Sequence, residues 1–510
     1  MKAKVLMVQG TASHVGKSVL VTALCRIFRN DGLKVAPFKA QNMSLNSYVT
    51  PDGGEIGRAQ AVQAEACGIA PSVDMNPILL KPEANSRSQV VVLGRPRTTT
   101  AASDYYNLKP QLWPVVTSAL DRLRSEYDVV VIEGAGSPAE INLASAEIVN
   151  MSIARYCQSP VLLVGDIDRG GVFASLLGTL WLLEPNDLSL VKALVINKFR
   201  GDRALLEPGL RLLELKTGVP VAGVLPYFQD IYIAQEDSLS LEEMKSQGKS
   251  PSVDIAVIRL PHISNFDDFD PLGREEGVRV RYVNSVESLN KPDLIIIPGS
   301  KTTMSDLDWL ERNGLAHRIT GLYEQGAFVI GICGGYQMLG KSIEDPDRVE
   351  SPVSYRQGMG LLPVSTVFLP TKDTHQIKGD VVAHSGLLSE ARGISFEGYE
   401  IHMGRTECNE GSVFRILERS GQPCEKSDGC LDTSGRVLGT YIHGLFHNQE
   451  LRRAILRHIA GSKDRLLSFA GEDQRRDCGY DKLAELVRRN LDMDLVYAIT
   501  GLQGKRAGGV

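Results

Sequence analysis

Two groups of residues in this 510-residue chain have the types and the spacing for chemistry. The first centres on Cys333. An apolar run over 328–332 reads as a short buried strand; it ends at Cys333, two glycines follow, and 336–339 begin a helical pattern. Strand, sharp turn and helix put a thiol at the apex of an elbow, and glycines on both sides of it leave room for a substrate to approach. The start of the following helix would favour a thiolate over a thiol. A buried cysteine at a strand end has the same local pattern. A second apolar strand, inside GTYIHGLF at 439–446, delivers His443 downstream, so a nucleophile and a candidate base occur in that order.

The second group is GTASHVGKS at 10–18, directly after an apolar strand at 5–8 and before a helical periodicity that runs to 30–32. Strand, glycine-rich loop and helix form the setting of a phosphate-binding loop: backbone N–H groups cradle phosphates, Lys17 reaches the β- and γ-oxygens, and Ser18 ligates Mg²⁺. Gly10, Thr11 and Gly16 would shape that phosphate cradle. The loop departs from the common pattern, because five residues separate Gly10 from Gly16. Lys39, at the end of a strand over 34–38, is placed for a second phosphate clamp, within KAQNMSLN at 39–46, a stretch too rich in amides for a core. A solvated loop is the bland alternative. A further apolar strand delivers Glu133 opposite the loop, where a carboxylate suits Mg²⁺ ligation or polarisation of its bound water. Asp166 and Asp168, after a strand beginning at 160, are candidates for Mg²⁺ or substrate contact, or for a helix cap.

The elements that must hold these groups alternate. Helical patterns at 57–70 and 104–127 are interleaved with strands at 76–82, 88–93, 191–196 and 220–224, which is the signature of a parallel, doubly wound sheet. A polar stretch then separates this region from a new alternating series that starts at 253–258. The expected organisation is a first domain over 1–235, a linker over 236–252, a second domain over 253–450 and a helical extension over 451–510.

Composition narrows the class. Apolar residues make up 43% and charged residues 23%, as in ordinary globular domains, and a net charge of −5 gives no reason to expect nucleic acid or an anionic membrane as partner. The eight cysteines lack the close pairing of a disulfide framework or a CxxC metal site. No apolar run reaches the roughly 20 residues of a membrane span. The N-terminus runs straight into a strand without a signal-like segment, and the expectation is a cytoplasmic protein.

GICGGYQ at 331–337, followed by YIHGL at 441–445, resembles a class I glutamine amidotransferase domain. The loop at 10–18 resembles that of the dethiobiotin synthetase-like P-loop proteins, which activate carboxylates with ATP. With KAQNMS at 39–44, EGAG at 133–136, ISNFDDFDPL at 263–272 and GYEIHMG at 398–404, nearly the whole chain resembles the cobyric acid synthase family. The fold this implies is α/β throughout: an N-terminal P-loop, doubly wound parallel sheet plus a C-terminal class I amidotransferase-like α/β domain. The activity it implies is ATP- and glutamine-dependent amidation, through an acyl phosphate, of the b, d, e and g carboxylates of a corrinoid, adenosylcobyrinic acid a,c-diamide. Carried over residue by residue, Cys333 and His443 are the catalytic pair, N–H groups at Gly299 and Gly334 form the oxyanion hole, Gln337 helps to hold glutamine, and Asn197 reads the adenine edge. The acidic and aromatic mixture at 263–272 faces either substrate or the domain interface. Rival readings are the related a,c-diamide synthase, a CTP synthase-like enzyme, and a ParA-like ATPase with a degenerate C-terminal domain. One departure stands out: class I glutaminases commonly carry His-x-Glu, whereas Gly444 and Leu445 follow His443. Either another group orients this imidazole or the site works as a dyad. His402 is the rival base.

Overall fold

The computed structural model describes residues 2–83, 87–142, 147–228, 231, 251–408, 412–469 and 475–502. The expected linker at 236–252 lies outside them apart from its last two residues. The first sheet is built from β1 (Lys4–Gly10), β2 (Val35–Phe38), β3 (Val129–Glu133), β4 (Val161–Asp166), β5 (Val191–Phe199) and β6 (Val221–Pro226). Their order is β6-β5-β4-β1-β3-β2, and every pairing is parallel. Parallel strands are covered on both faces, so their sequences are continuous apolar runs rather than alternations. Leu6, Val8, Val131 and Leu162 point into one apolar layer; Met7, Ile132, Leu163 and Leu194 point into the other. Register fixes the chemistry at one edge. Val8 pairs with Glu133 and Gly10 with Val164, so the loop after β1, the end of β3 and the end of β4 leave the sheet side by side.

The second sheet comprises β7 (Val253–Ile258), β8 (Val278–Val283), β9 (Leu294–Ile297), β10 (Phe328–Ile332), β11 (Cys430–Leu431) and β12 (Val437–Thr440), in the order β8-β7-β9-β10-β12-β11. Only the β11–β12 pair is antiparallel. Ile297 pairs with Gly331 and Ile332 with Thr440. The segments that follow β9, β10 and β12 therefore emerge together, and they carry Gly299, Cys333 and His443. An antiparallel layer, including the long strands Ser365–Val381 and Ser395–Glu407, covers this edge.

Helix α1 (Lys17–Asn30) follows the phosphate loop, α2 (Arg58–Cys67) packs beside it, and α3 (Gly334–Leu339) follows Cys333. Three more helices end the described chain: α4 (Gln449–Gly461), α5 (Arg475–Asn490) and α6 (Met493–Thr500). Helix α4 packs on the second domain, but α5 and α6 return to the first, where Tyr480, Leu483, Val487, Val496 and Tyr497 join the apolar layer around α1. Arg26 clamps Asp481 through two bonds of 2.7 and 2.8 Å, and the backbone at Leu491 bridges to Gly223 on β6. Among the described residues, no helix is long and apolar enough to cross a membrane.

Because Leu483 is fully buried against α1, Leu483→Ala should destabilise the N-terminal domain by about 2–5 kcal/mol. In thermal unfolding, the transition that is raised by added nucleotide should move down, and the other transition should stay in place. A shift confined to the second transition would contradict this docking.

Candidate active sites

Cys333 sits at φ 51° and ψ −108°, a left-handed conformation that costs energy for any residue with a side chain. The surrounding backbone enforces it. A Cβ placed at Gly335 would lie 1.9 Å from the Ile297 carbonyl, so α3 rests directly on the end of β9. Helix α3 has only six residues, and the electrostatic help expected from it is correspondingly small. The Cys333 Sγ donates to the Ile401 carbonyl at 3.6 Å, and His443, at the neighbouring strand end, is 1% exposed. Its Nδ1 lies 2.7 Å from Oδ2 of Asp268, whose Oδ1 accepts the Gly444 N–H at 2.8 Å. Burial by itself would push the imidazole down, but the Asp268 carboxylate and the Cys333 thiol outweigh it and raise His443 to about 10. Tyr399 stacks on the ring at 5.1 Å and exchanges backbone hydrogen bonds with His443, which fixes its plane. The dyad-or-triad question raised by Gly444 and Leu445 thus has a geometric answer: Asp268, 175 residues upstream, takes the place of a local carboxylate.

The remaining residues expected here converge on the same edge. Gly299 lies beside the imidazole, since a Cβ there would be 3.2 Å from His443 Cε1. Gly334 faces the Ser300 backbone of the same turn. The Gln337 amide is engaged within the protein: its Oε1 accepts from Thr303 and its Nε2 donates to the Tyr441 hydroxyl, both at 3.1 Å. His402, the alternative base, stacks on Tyr441 at 3.8 Å with Nδ1 on the Gly404 carbonyl. Burial pushes it down to about 4, and its Nδ1 meets a backbone carbonyl where that of His443 meets a carboxylate.

At the other edge, Lys17 Nζ donates to the carbonyls of Ala12 at 2.9 Å and Gly136 at 3.0 Å, arching over the loop. Glu133 is 1% exposed and receives the Ser18 hydroxyl at 2.8 Å, Lys39 Nζ at 2.9 Å and Gln63 Nε2 at 2.5 Å. Burial opposes its charge, yet Lys39 and these donors hold the carboxyl below its ordinary value. Gly16, at φ 100°, passes so close to Asn197 that a Cβ would meet its Nδ2 at 2.0 Å; this amide donates to the Val15 carbonyl at 2.8 Å. Asn197 therefore braces the loop from below. Asp166 pairs with Lys198 at 2.8 Å and accepts the Asp168 N–H at 2.9 Å, while Lys198 also donates to the His14 carbonyl. The structure thus brings Lys17, Ser18, Lys39 and Glu133 together and sets Asp166 on the opposite flank of the loop. Among the described residues no group of three His, Cys, Asp or Glu side chains forms a ready-made metal cage. A hydroxyl beside one carboxylate still matches Mg²⁺, which keeps waters and takes much of its shell from phosphates.

Sequence reasoning passed over Asp268, Gln63 and Lys198. The acidic run at 263–272 was the available signal for the first, but nothing local says which strand end it meets.

Residues 6–241 match the family described as the CobQ/CobB/MinD/ParA nucleotide binding domain, and residues 254–451 match the CobB/CobQ-like glutamine amidotransferase domain. A cobyric acid synthase of Dehalococcoides mccartyi is 54% identical over 501 residues, covering 98% of this chain and 99% of that protein. Proteins of the same name from Sorangium cellulosum and Pelotomaculum thermopropionicum are 51% and 50% identical, with at least 98% of each chain covered.

Asp268→Asn should leave the fold intact and slow alkylation of Cys333 by iodoacetamide near neutral pH by about tenfold, the effect of roughly one unit in the pairing equilibrium. Raising the pH should restore the rate, because the thiol is then ionised directly and no longer depends on the imidazolium. Peptide-resolved mass spectrometry reads this directly; an unchanged rate would remove Asp268 from the site.

Proposed function

We propose that this chain, which belongs to the cobyric acid synthase family, converts carboxylates of a corrinoid into amides with ATP and the nitrogen of glutamine. The observation that carries the reading is the buried His443–Asp268 pair beside the elbow of Cys333, at one sheet edge and in the same chain as a phosphate-binding loop. In the N-terminal domain the loop N–H groups, Lys17 and Lys39 hold the phosphates of ATP. Ser18 and Glu133 are the residues that would hold Mg²⁺, which supplies charge neutralisation during phosphoryl transfer, whereas Asp166, expected as a third, is engaged by Lys198 on the other flank of the loop. A substrate carboxylate oxygen attacks the γ-phosphorus, ADP leaves, and an acyl phosphate results.

In the C-terminal domain the Cys333 sulfur attacks the side-chain amide carbon of glutamine. The oxyanion is received by N–H groups near Gly299 and Gly334. His443, held by Asp268, delivers its proton to the departing nitrogen, and ammonia leaves a thioester on Cys333. Water, deprotonated by His443, then releases glutamate. Ammonia attacks the acyl phosphate, and phosphate departs with formation of the amide. The b, d, e and g carboxylates of adenosylcobyrinic acid a,c-diamide are the substrate groups we assign, and the cytoplasm the compartment.

The two halves are separable by nitrogen source. Lys17→Ala should abolish amidation with either glutamine or ammonia. Cys333→Ala should lose glutamine hydrolysis and keep ammonia-dependent amidation. Mass spectrometry of the corrinoid, with assay of the spent nucleotide, tests both; release of AMP and pyrophosphate in place of ADP and phosphate would refute the acyl phosphate route. With cobyrinic acid offered in place of its diamide, a product carrying amides only at the a and c positions would favour the a,c-diamide synthase.

A further inference from the structure

Asp268 does not stand alone. Its neighbour Asp267, on the same short turn Phe266–Phe269, faces the other way, across the domain boundary, where its Oδ2 lies 2.9 Å from Nε of Arg58 at the start of α2. The two side chains are 3% and 4% exposed. The Arg58 N–H is not aimed squarely at the carboxylate, so the contact is an ion pair rather than a linear hydrogen bond. The N-terminal domain grips this turn at two further points. The Ser47 N–H donates to Asn265 Oδ1 at 3.0 Å, and Asn46 Oδ1 accepts the Phe266 N–H at 3.3 Å. Arg58 also covers the Tyr48 ring at 5.2 Å; Tyr48 packs on Tyr399, the ring stacked on His443. Two lines of contact therefore run from one guanidinium to the imidazole, one through the Asp267–Asp268 turn and one through the two tyrosines.

We propose that Arg58, a residue of the ATP-binding domain, is a positioning residue of the glutaminase: it fixes the Asp267–Asp268 turn and, through Asp268, the orientation of His443. The glutaminase centre is then complete only when the two domains are docked. This inference rests on the reading of Cys333 and His443 as a glutaminase. Since Arg58 acts on the imidazole and not on glutamine, its loss should appear in kcat and spare KM.

The test uses the full-length chain and measures ammonia release from glutamine. Arg58→Gln should lower kcat by about tenfold, which is about 1.4 kcal/mol in the barrier, with KM for glutamine unchanged. Arg58→Lys should recover part of the loss by restoring the charge. Ammonia-dependent amidation should persist in both. If Arg58→Gln folds poorly because Asp267 is left uncompensated, Arg58→Gln/Asp267→Asn removes both charges together, and the same loss of kcat is expected. Wild-type kcat in either variant overturns the proposal, as does a proportional fall of ammonia-dependent amidation, the mark of a general structural defect. Cys333→Ala serves as the control. A dead Cys333 variant beside an unimpaired Arg58 variant rejects this inference alone, whereas glutamine hydrolysis by the Cys333 variant rejects the glutaminase reading and this inference with it.

Discussion

A charge removed from water has to be answered by another charge, and in this molecule that requirement shapes both active centres. His443 is sealed inside the protein, where burial favours the neutral ring. Asp268 reverses the balance, but a buried carboxylate brings a desolvation cost of its own, and removing one member of such a pair costs about 3–5 kcal/mol. The structure meets this by gathering donors: Gly444 N–H on Asp268, and Arg58 beside the adjacent Asp267. The interface between the domains is placed where this compensation is needed.

The same rule operates at the phosphate loop. Glu133 is buried at the end of a central strand, and Lys39, Ser18 and Gln63 surround its two oxygens. Gln63 stands on α2, the helix that begins with Arg58. One ten-residue helix therefore touches the carboxylate of one centre and the carboxylate turn of the other. A second buried cluster, Lys81, Glu55 and Lys372, crosses the boundary nearby, with Lys372 contributed by the amidotransferase half. Burial pushes the Lys372 ammonium down to about 8 even though Glu55 favours its charge.

Much of this was legible in the chain. The strand–loop–helix around Lys17 and the elbow at Cys333 are local patterns, and local patterns survive in a sequence because the residues that make them are neighbours. The expected strand at 34–38 is β2, and the helix expected at 104–127 is Ala102–Glu126 despite Pro110 and Pro114. What the chain hides is contact at long range. Asp268 and His443 are joined by the register of β9, β10 and β12 and by a turn held from another domain, none of which leaves a periodic trace. Asn197 shows the complementary case: its type and strand-end position are visible in the sequence, whereas the Val15 carbonyl that receives its amide is not.

The course of α5 and α6 has a consequence for how the protein is made. One face of the first sheet is finished by residues 480–502, although the helices and strands beneath them are translated first. During synthesis Phe28, Leu24 and Ala222 lack the side chains of Leu483, Val487 and Val496 until the ribosome has passed the entire amidotransferase domain. At about 5–20 residues per second that interval is on the order of tens of seconds. The N-terminal domain thus waits, with an apolar face uncovered, for the last part of its own core, and the amidotransferase domain has time to fold within the gap. In topological terms the second domain is an insertion into the first, and a nascent chain stalled before residue 480 would present a chaperone with an incompletely covered sheet rather than a finished domain.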